Sequence, residues 1–344
     1  MSREYRNQTD KKNNEKINEM LLDMPLFVED FYGHMVAQSR STNTILSYMY
    51  EINVFLRFMV TTLKKESVND LVVEDLDSIK LKNIEAYMAR SEDGIELSDN
   101  AKRRKLSVLK TFYKYYISTE MIQTNPTLLA TGPKLKAHDV IKLSDTQVAA
   151  LLKCIRTQEG LNYSEHTKKY NQRISDRDLA IVMVLLGTGI RVSELVGLNL
   201  TDIDKTEADK YYLRIIRKGG DEDKVRMIDA VSNAVEDYIE FCRPGLVTDS
   251  RENALFISTQ GRRISVNAVQ KMMKKYCRAA NLPDNISPHK MRATFATKVY
   301  AETKDIYAIK DALHHSSIDT SKHYISDKEK RIDAAAEAAS SFFE

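Results

Sequence analysis

The stretch HKMRATFATKVYAETKDIYAIKDALHHSSIDTSKHYI runs from His289 to Ile325. It sets a His and an Arg three residues apart, follows them with a helix-like segment, and ends on a second His and a Tyr. An imidazole titrates near neutrality and moves protons, a guanidinium is a permanent planar cation, and a phenol can serve as a nucleophile. Residues at i and i+3 share one helix face, so His289 and Arg292 come from a single turn. A second such pair stands in RDLAIVMVLLGTGIRVSELVGLNLTDID, where an apolar helix ends at Gly187-Thr188-Gly189 and Arg191 and Glu194 follow. Alone, that pair reads first as a local ion pair at a helix N-terminus, which is common. Behind a buried helix and a glycine turn, Arg191 can instead be a rigid fork that Glu194 holds in place.

The elements that must position these residues follow from length and patterning. A chain of 344 residues, 42% apolar and 29% charged, predicts two domains with real cores. The polar start, MSREYRNQTDKKNNEKINEM, lacks the apolar core of a signal peptide, and the run LAIVMVLLG is far too short to span a bilayer. Cys154, Cys242 and Cys277 lie far apart without C-x-x-C spacing, which argues for reduced thiols and against a disulfide framework or a zinc site. The expectation is a cytoplasmic protein with no membrane partner and no metal.

Residues 1–23 read as a disordered polar tail. Residues 24–130 read as a helical domain: Ile45, Tyr48, Ile52, Phe55, Leu56 and Met59 recur at three- and four-residue steps. In SDNAKRRKLSVLKTFYKYYIS, a Ser/Asp/Asn cap signal precedes a stripe of Leu106, Leu109, Phe112, Tyr113 and Tyr116. Residues 131–141 carry Gly132, Pro133 and lysines and read as a linker. A second, mainly helical domain over 142–330 contains one β hairpin, YYLRIIRKGGDEDKVRMID, and an irregular polar connection from Gln158 to Ser175. Residues 331–344 read as a short Ala-rich helix, expected to pack on its own domain or on a neighbouring protomer.

The formal net charge is only +3, but it is unevenly spread. Residues 101–140 hold eight basic residues against two acidic ones, and a second basic cluster spans Arg262, Arg263, Lys271, Lys274, Lys275 and Arg278. Either block alone is as readily a solvated helix face; two in a nearly balanced chain favour a polyanion, usually nucleic acid.

TGIRVSEL, then Lys218 in RKGG, then HKMR, then His315 in ALHHSS, then Tyr324 nine residues later resemble, in order and spacing, the motifs of the tyrosine recombinases, the phage integrase family. Upstream, SRSTNTILSYMYEINVFLRF and LSDNAKRRKLSVLKTFYKYYISTEMIQTNP are similar to that family's helical core-binding domain. The resemblance covers about residues 24 to 330 and implies a mainly α fold with a small β-sheet: a SAM-like core-binding domain plus an α+β catalytic domain, in a simple Xer/Cre-like layout without an extra arm-binding domain.

The resemblance also implies roles. Tyr324 would be the nucleophile, forming a 3′-phosphotyrosine and releasing a 5′-hydroxyl without metal, ATP or other cofactor. Arg191 and Arg292 would neutralise the phosphate, Lys218 would protonate the departing oxygen, His289 would assist proton transfer, His315 would hydrogen-bond a phosphate oxygen, and Glu194 would support Arg191. Thr42, Asn100, Lys102, Arg103, Arg104, Lys110, Arg262, Arg263, Lys271 and Lys274 would contact DNA. The partners implied are a double-stranded recombination site, three further protomers in a tetramer on two sites, and an accessory DNA-bending protein where one is used.

Two positions depart from the family pattern: His314 stands where a Gly is usual, and Ala293 where a second His is frequent. The nearest alternatives are a type IB topoisomerase-like relaxing enzyme and a DNA-binding protein without catalysis.

Overall fold

The computed structural model describes residues 3–134, 142–161, 165–217 and 220–313. By contact the chain divides into a unit of residues 7–137 and a unit of residues 138–344 joined by residues 1–6.

The first unit is helical, with α1 (Arg3–Leu22), α2 (Phe27–Ala37), α3 (Thr42–Leu63), α4 (Asp75–Ser78), α5 (Leu81–Ala89) and α6 (Asp99–Ser118). Ser41 caps α3 by accepting from the Thr44 N–H, and Ser98 caps α6 by accepting from Ala101. Both helices bury the stripe that their spacing predicts, except that Met49 takes the fully buried place and Tyr48 stays at the margin. Phe31, Phe55, Phe112, Tyr113 and Tyr116 pack largely edge to face, each contributing on the order of 1.5–3 kcal/mol through burial. The phenols of Tyr113 and Tyr116 donate to the carbonyls of Leu76 (3.2 Å) and Phe27 (2.6 Å). They are structural tyrosines, and burial pushes both well above the ordinary phenol pKa.

The expected disordered tail over residues 1–23 is corrected: residues 3–22 form α1. Its helix carries no wide apolar stripe, so composition pointed to disorder. A few side chains hold it instead. Ile17 is fully buried in the helical core, and Asn13 Nδ2 donates to Thr42 Oγ1 (3.0 Å) and Asn43 Oδ1 (2.9 Å).

The second unit comprises α7 (Asp145–Thr157), α8 (Glu165–Thr188), α9 (Val192–Val196), β1 (Ile203–Lys205), β2 (Tyr211–Ile216), β3 (Glu222–Met227), α10 (Asp229–Asp237), α11 (Val266–Ala279), α12 (Pro288–Thr303) and α13 (Ile306–Leu313). The strands form one antiparallel sheet in the order β1-β2-β3, with Leu213 opposite Ile203 on one side and Val225 on the other. The hairpin is where the sequence predicts it. The irregular connection expected over Gln158–Ser175 is instead partly helix, because α8 begins at Glu165 and continues into the apolar run. Ile181, Val182, Val184 and Leu185 of that run are fully buried. Around α8 gather α7, α10 and α12, so the helix forms the axis on which the site residues are mounted. The linker of residues 131–141 falls within the described residues only up to Lys134, and the helix expected over 331–344 lies outside them.

Candidate active site

The end of α8 determines where Arg191 stands. Thr188 Oγ1 closes the last turn by donating to the Val184 carbonyl (2.6 Å), and Gly189 then takes φ +64. A Cβ there would lie 2.4 Å from Phe295 Cδ1 and 2.8 Å from Leu313 Cδ2, so both the left-handed backbone and the close approach call for glycine. Ile190 is buried, and Arg191 becomes the N-cap of α9. Glu194 reaches back to the Arg191 N–H through Oε2 (2.7 Å) and accepts Arg191 Nη1 through Oε1 (2.9 Å). The local ion pair and the held fork turn out to be the same arrangement.

Helix α12 supplies the second pair. Pro288 occupies its first turn, where a missing N–H costs nothing, and His289 and Arg292 follow on one face. Arg292 is buried and donates Nη1 to the Gly189 carbonyl (2.5 Å) and Nη2 to the Leu313 carbonyl (2.7 Å). It therefore ties α12 both to the turn before Arg191 and to the end of α13. His289 keeps solvent access, yet the surrounding protein, then the cations Lys290, Arg292 and Arg191, hold its imidazole below the ordinary 6.5. These surroundings favour the uncharged ring, the form able to accept a proton.

Motif matching did not single out Arg217. It is the last residue before Lys218, is buried, and donates Nη1 to Glu194 Oε2 (3.2 Å) and Nε to Asp223 Oδ2 (2.9 Å). Its signal was present as an arginine beside the hairpin turn, but a strand-end Arg reads as solvent-facing until the sheet is folded against α9. The structure brings together Arg191, Glu194, His289 and Arg292. Lys218, His315 and Tyr324 lie outside the described residues.

The basic residues divide into two kinds. On α6, Asn100, Arg103, Arg104 and Lys110 are exposed; Arg104 reaches Ser47 of α3 (2.6 Å) and Arg103 the Pro133 carbonyl (3.2 Å). Lys102 pairs with Glu96 (2.9 Å), and Thr42 is engaged by Asp10 and Asn13. Lys105 of the same block is buried over the Tyr87 ring, 3.7 Å from its centroid. In the second unit, Lys271 and Lys274 line one side of a groove of about 510 Å³ with Lys275 and Arg278, and Arg262 is exposed beside Gln260. Arg263 differs. Its fork is bound to the carbonyls of Val196 (3.0 Å) and Leu198 (2.8 Å) and to Asn199 Oδ1 (2.5 Å), with the Tyr5 ring against it. This guanidinium fastens the chain after α9.

Residues 143–331 match the phage integrase family model, and residues 28–120 match that family's N-terminal SAM-like domain. The tyrosine recombinase XerC of Caldanaerobacter subterraneus subsp. tengcongensis is 31% identical over 316 residues, covering 88% of this chain and 83% of the relative. XerD of Proteus mirabilis is 29% identical over 324 residues, covering 92% of this chain and 91% of the relative. The fold is similar to that of the XerH site-specific recombinase in a post-cleavage complex with palindromic difH substrate (TM-score 0.65, 17% identity, 87% of this chain and 81% of that one). It is also similar to a lambda integrase dimer bound to a COC′ core site (TM-score 0.63, 16% identity, 88% of this chain and 95% of that one). With both family models matched and these relatives aligned along most of its length, this chain belongs to the phage integrase family and is a site-specific tyrosine recombinase.

Proposed function

We propose that the chain binds a double-stranded DNA recombination site and breaks and rejoins its strands through a 3′-phosphotyrosine on Tyr324. Exchange proceeds through a Holliday junction and uses neither metal nor ATP. One observation carries this reading: Arg292, one turn after His289 on α12, is bonded to the carbonyl of Gly189, two residues before Arg191, so one buried bond links the two arginines. Negative charge grows on the non-bridging phosphate oxygens as a strand is cut, and cations fixed beforehand lower that barrier without reorganising. Arginine suits the task because its charge is permanent and its fork is planar.

In this mechanism the Tyr324 oxygen attacks the phosphorus, and its proton passes to a neighbouring base, with His289 assisting. The 5′-oxygen leaves with a proton from Lys218. A 5′-hydroxyl from the other duplex then attacks the phosphotyrosine and restores the diester, so the bond energy is conserved. His315 hydrogen-bonds a phosphate oxygen. The roles of Lys218, His315 and Tyr324 rest on motif order. The exposed cations of α6 and α11 track the backbone, and fewer base contacts select the site. As the motif resemblance implies, the active assembly is a tetramer on two sites, with an accessory DNA-bending protein at those that need one. The three buried free cysteines suit a reducing cytoplasm.

A suicide substrate nicked beside the cut tests the reading. Wild type should trap a covalent DNA adduct and Tyr324→Phe should trap none. An adduct that persists in Tyr324→Phe removes the nucleophile assignment. Relaxation of plasmids lacking any specific site would instead indicate a topoisomerase.

A further inference from the structure

Glu194 is a buried carboxylate shared by two guanidiniums. Oε1 accepts Arg191 Nη1 at 2.9 Å, while Oε2 accepts the Arg191 N–H at 2.7 Å and Arg217 Nη1 at 3.2 Å. Arg217 in turn donates Nε to Asp223 Oδ2 at 2.9 Å, on the opposite strand of the hairpin. The side chains of Glu194 and Arg217 are 4% and 8% exposed, whereas that of Arg191 is 37% exposed. The charges therefore alternate in sign from the hairpin interior out to one open cation.

A carboxylate removed from water needs cations and hydrogen bonds in place of its lost solvation. If Arg191 were its sole cation, Glu194 would draw that guanidinium inward and compete with any phosphate for it. Arg217 supplies the second cation, so Glu194 is held from both sides. Among the described residues Arg191 is then engaged through Nη1 alone, and its Nε and Nη2 remain for another anion. Asp223 balances the charge of Arg217 in the interior. Two further bonds fix this arrangement to the hairpin: Arg217 N–H donates to the Asp221 carbonyl (2.8 Å), and Gly220 N–H to the Arg217 carbonyl (3.0 Å).

We propose that Arg217, backed by Asp223, is a positioning residue for strand cleavage: it fixes Glu194 so that Arg191 presents its remaining donors to the scissile phosphate. The proposal rests on the cleavage reading above. Arg217 itself is buried and acts through Glu194 and Arg191.

The test times cleavage of a nicked suicide substrate by wild type, Arg217→Gln, Arg217→Lys, Asp223→Asn and Arg191→Ala. Each is run on the natural phosphodiester and on a substrate with a neutral methylphosphonate at the cut position, with DNA affinity and melting temperature measured alongside. Arg217→Gln should cleave the phosphodiester about 100-fold more slowly, the scale set by misplacing a catalytic group, at unchanged DNA affinity. Arg217→Lys should recover part of the loss, and Asp223→Asn should show a smaller one. On the methylphosphonate these deficits should shrink, because Arg191 no longer meets a charge there. A deficit of equal size on both substrates marks a merely structural hairpin contact and overturns the proposal, as does wild-type cleavage by Arg217→Gln. If Arg217→Gln fails to fold, Asp223→Asn carries the same comparison. Wild-type cleavage by Arg191→Ala sinks the cleavage reading itself, whereas a slow Arg191→Ala beside a normal Arg217→Gln sinks only this proposal.

Discussion

Arg292 donates Nη1 to the carbonyl of Gly189 across a separation of 103 residues, at 2.5 Å, with its side chain buried. This bond ties α12, which carries His289, to the turn that presents Arg191. The geometry of the site thus depends on a glycine that carries no functional group.

Gly189→Ala should therefore damage the protein although it removes nothing chemical. The added methyl meets Phe295 and Leu313 and sits at φ +64, a combination costing on the order of 1–3 kcal/mol in backbone strain alone. The measurement is urea denaturation of Gly189→Ala beside wild type. Arg292→Lys should also destabilise, because an ammonium does not reproduce the fork on two carbonyls and leaves one of them short of a donor, at about 1–3 kcal/mol. Wild-type stability in both variants contradicts the account of the turn.

The His289 imidazole is held below 6.5 by partial burial and then by Lys290, Arg292 and Arg191. As pH falls, the unfolded chain takes up this proton first, so the contribution of His289 to stability begins to fall near pH 6.5 and is fully lost below the folded-state value. Cleavage should show the same direction, with an acid limb below pH 6.5. Lys290→Gln removes one repelling charge and should move that limb upward. A limb that stays in place in Lys290→Gln, or moves down, argues against His289 as the titrating group.

Salt dependence separates the two kinds of basic residue. Neutralising Arg103 or Lys110, exposed on α6, should lower the slope of log affinity against log salt by about 0.9 for each phosphate left without its cation. Arg263→Gln should lower the melting temperature, since its fork holds the carbonyls of Val196 and Leu198. Equal effects of the three substitutions on the salt slope would count against this division.

Chelation bears on the cation chemistry. Adduct formation on a nicked substrate should be undiminished in excess EDTA, because the proposed charge neutralisation comes from Arg191, Arg292 and Lys218. Loss of the adduct on chelation, restored by magnesium, would remove the metal-free mechanism.

Helix α1 offers a stability test. Ile17→Ala should destabilise the helical unit by about 2–5 kcal/mol, as for other fully buried aliphatic side chains. A disordered N-terminus would give no change in urea denaturation.

Much of this protein was legible from residue order because its signals are local. The stripes of α3 and α6, the hairpin around RKGG and the pairing of Arg191 with Glu194 depend on neighbours within a few residues, where periodicity and capping act. Spacing alone also put His289 and Arg292 on one turn. Other features depended on partners far away in the chain. Helix α1 lacks an apolar stripe and is retained by Ile17, Asn13 and Asp10 meeting a distant surface. Arg263 and Arg104 look alike in sequence, yet one binds backbone carbonyls and the other reaches an exposed serine. The second cation on Glu194 appears only when the end of β2 folds against α9, because a guanidinium is recruited by whichever carboxylate or carbonyl the completed fold leaves unsatisfied beside it. Composition and local pattern therefore determined the elements and the motif order, while burial decided which charges became structure and which stayed open to solvent.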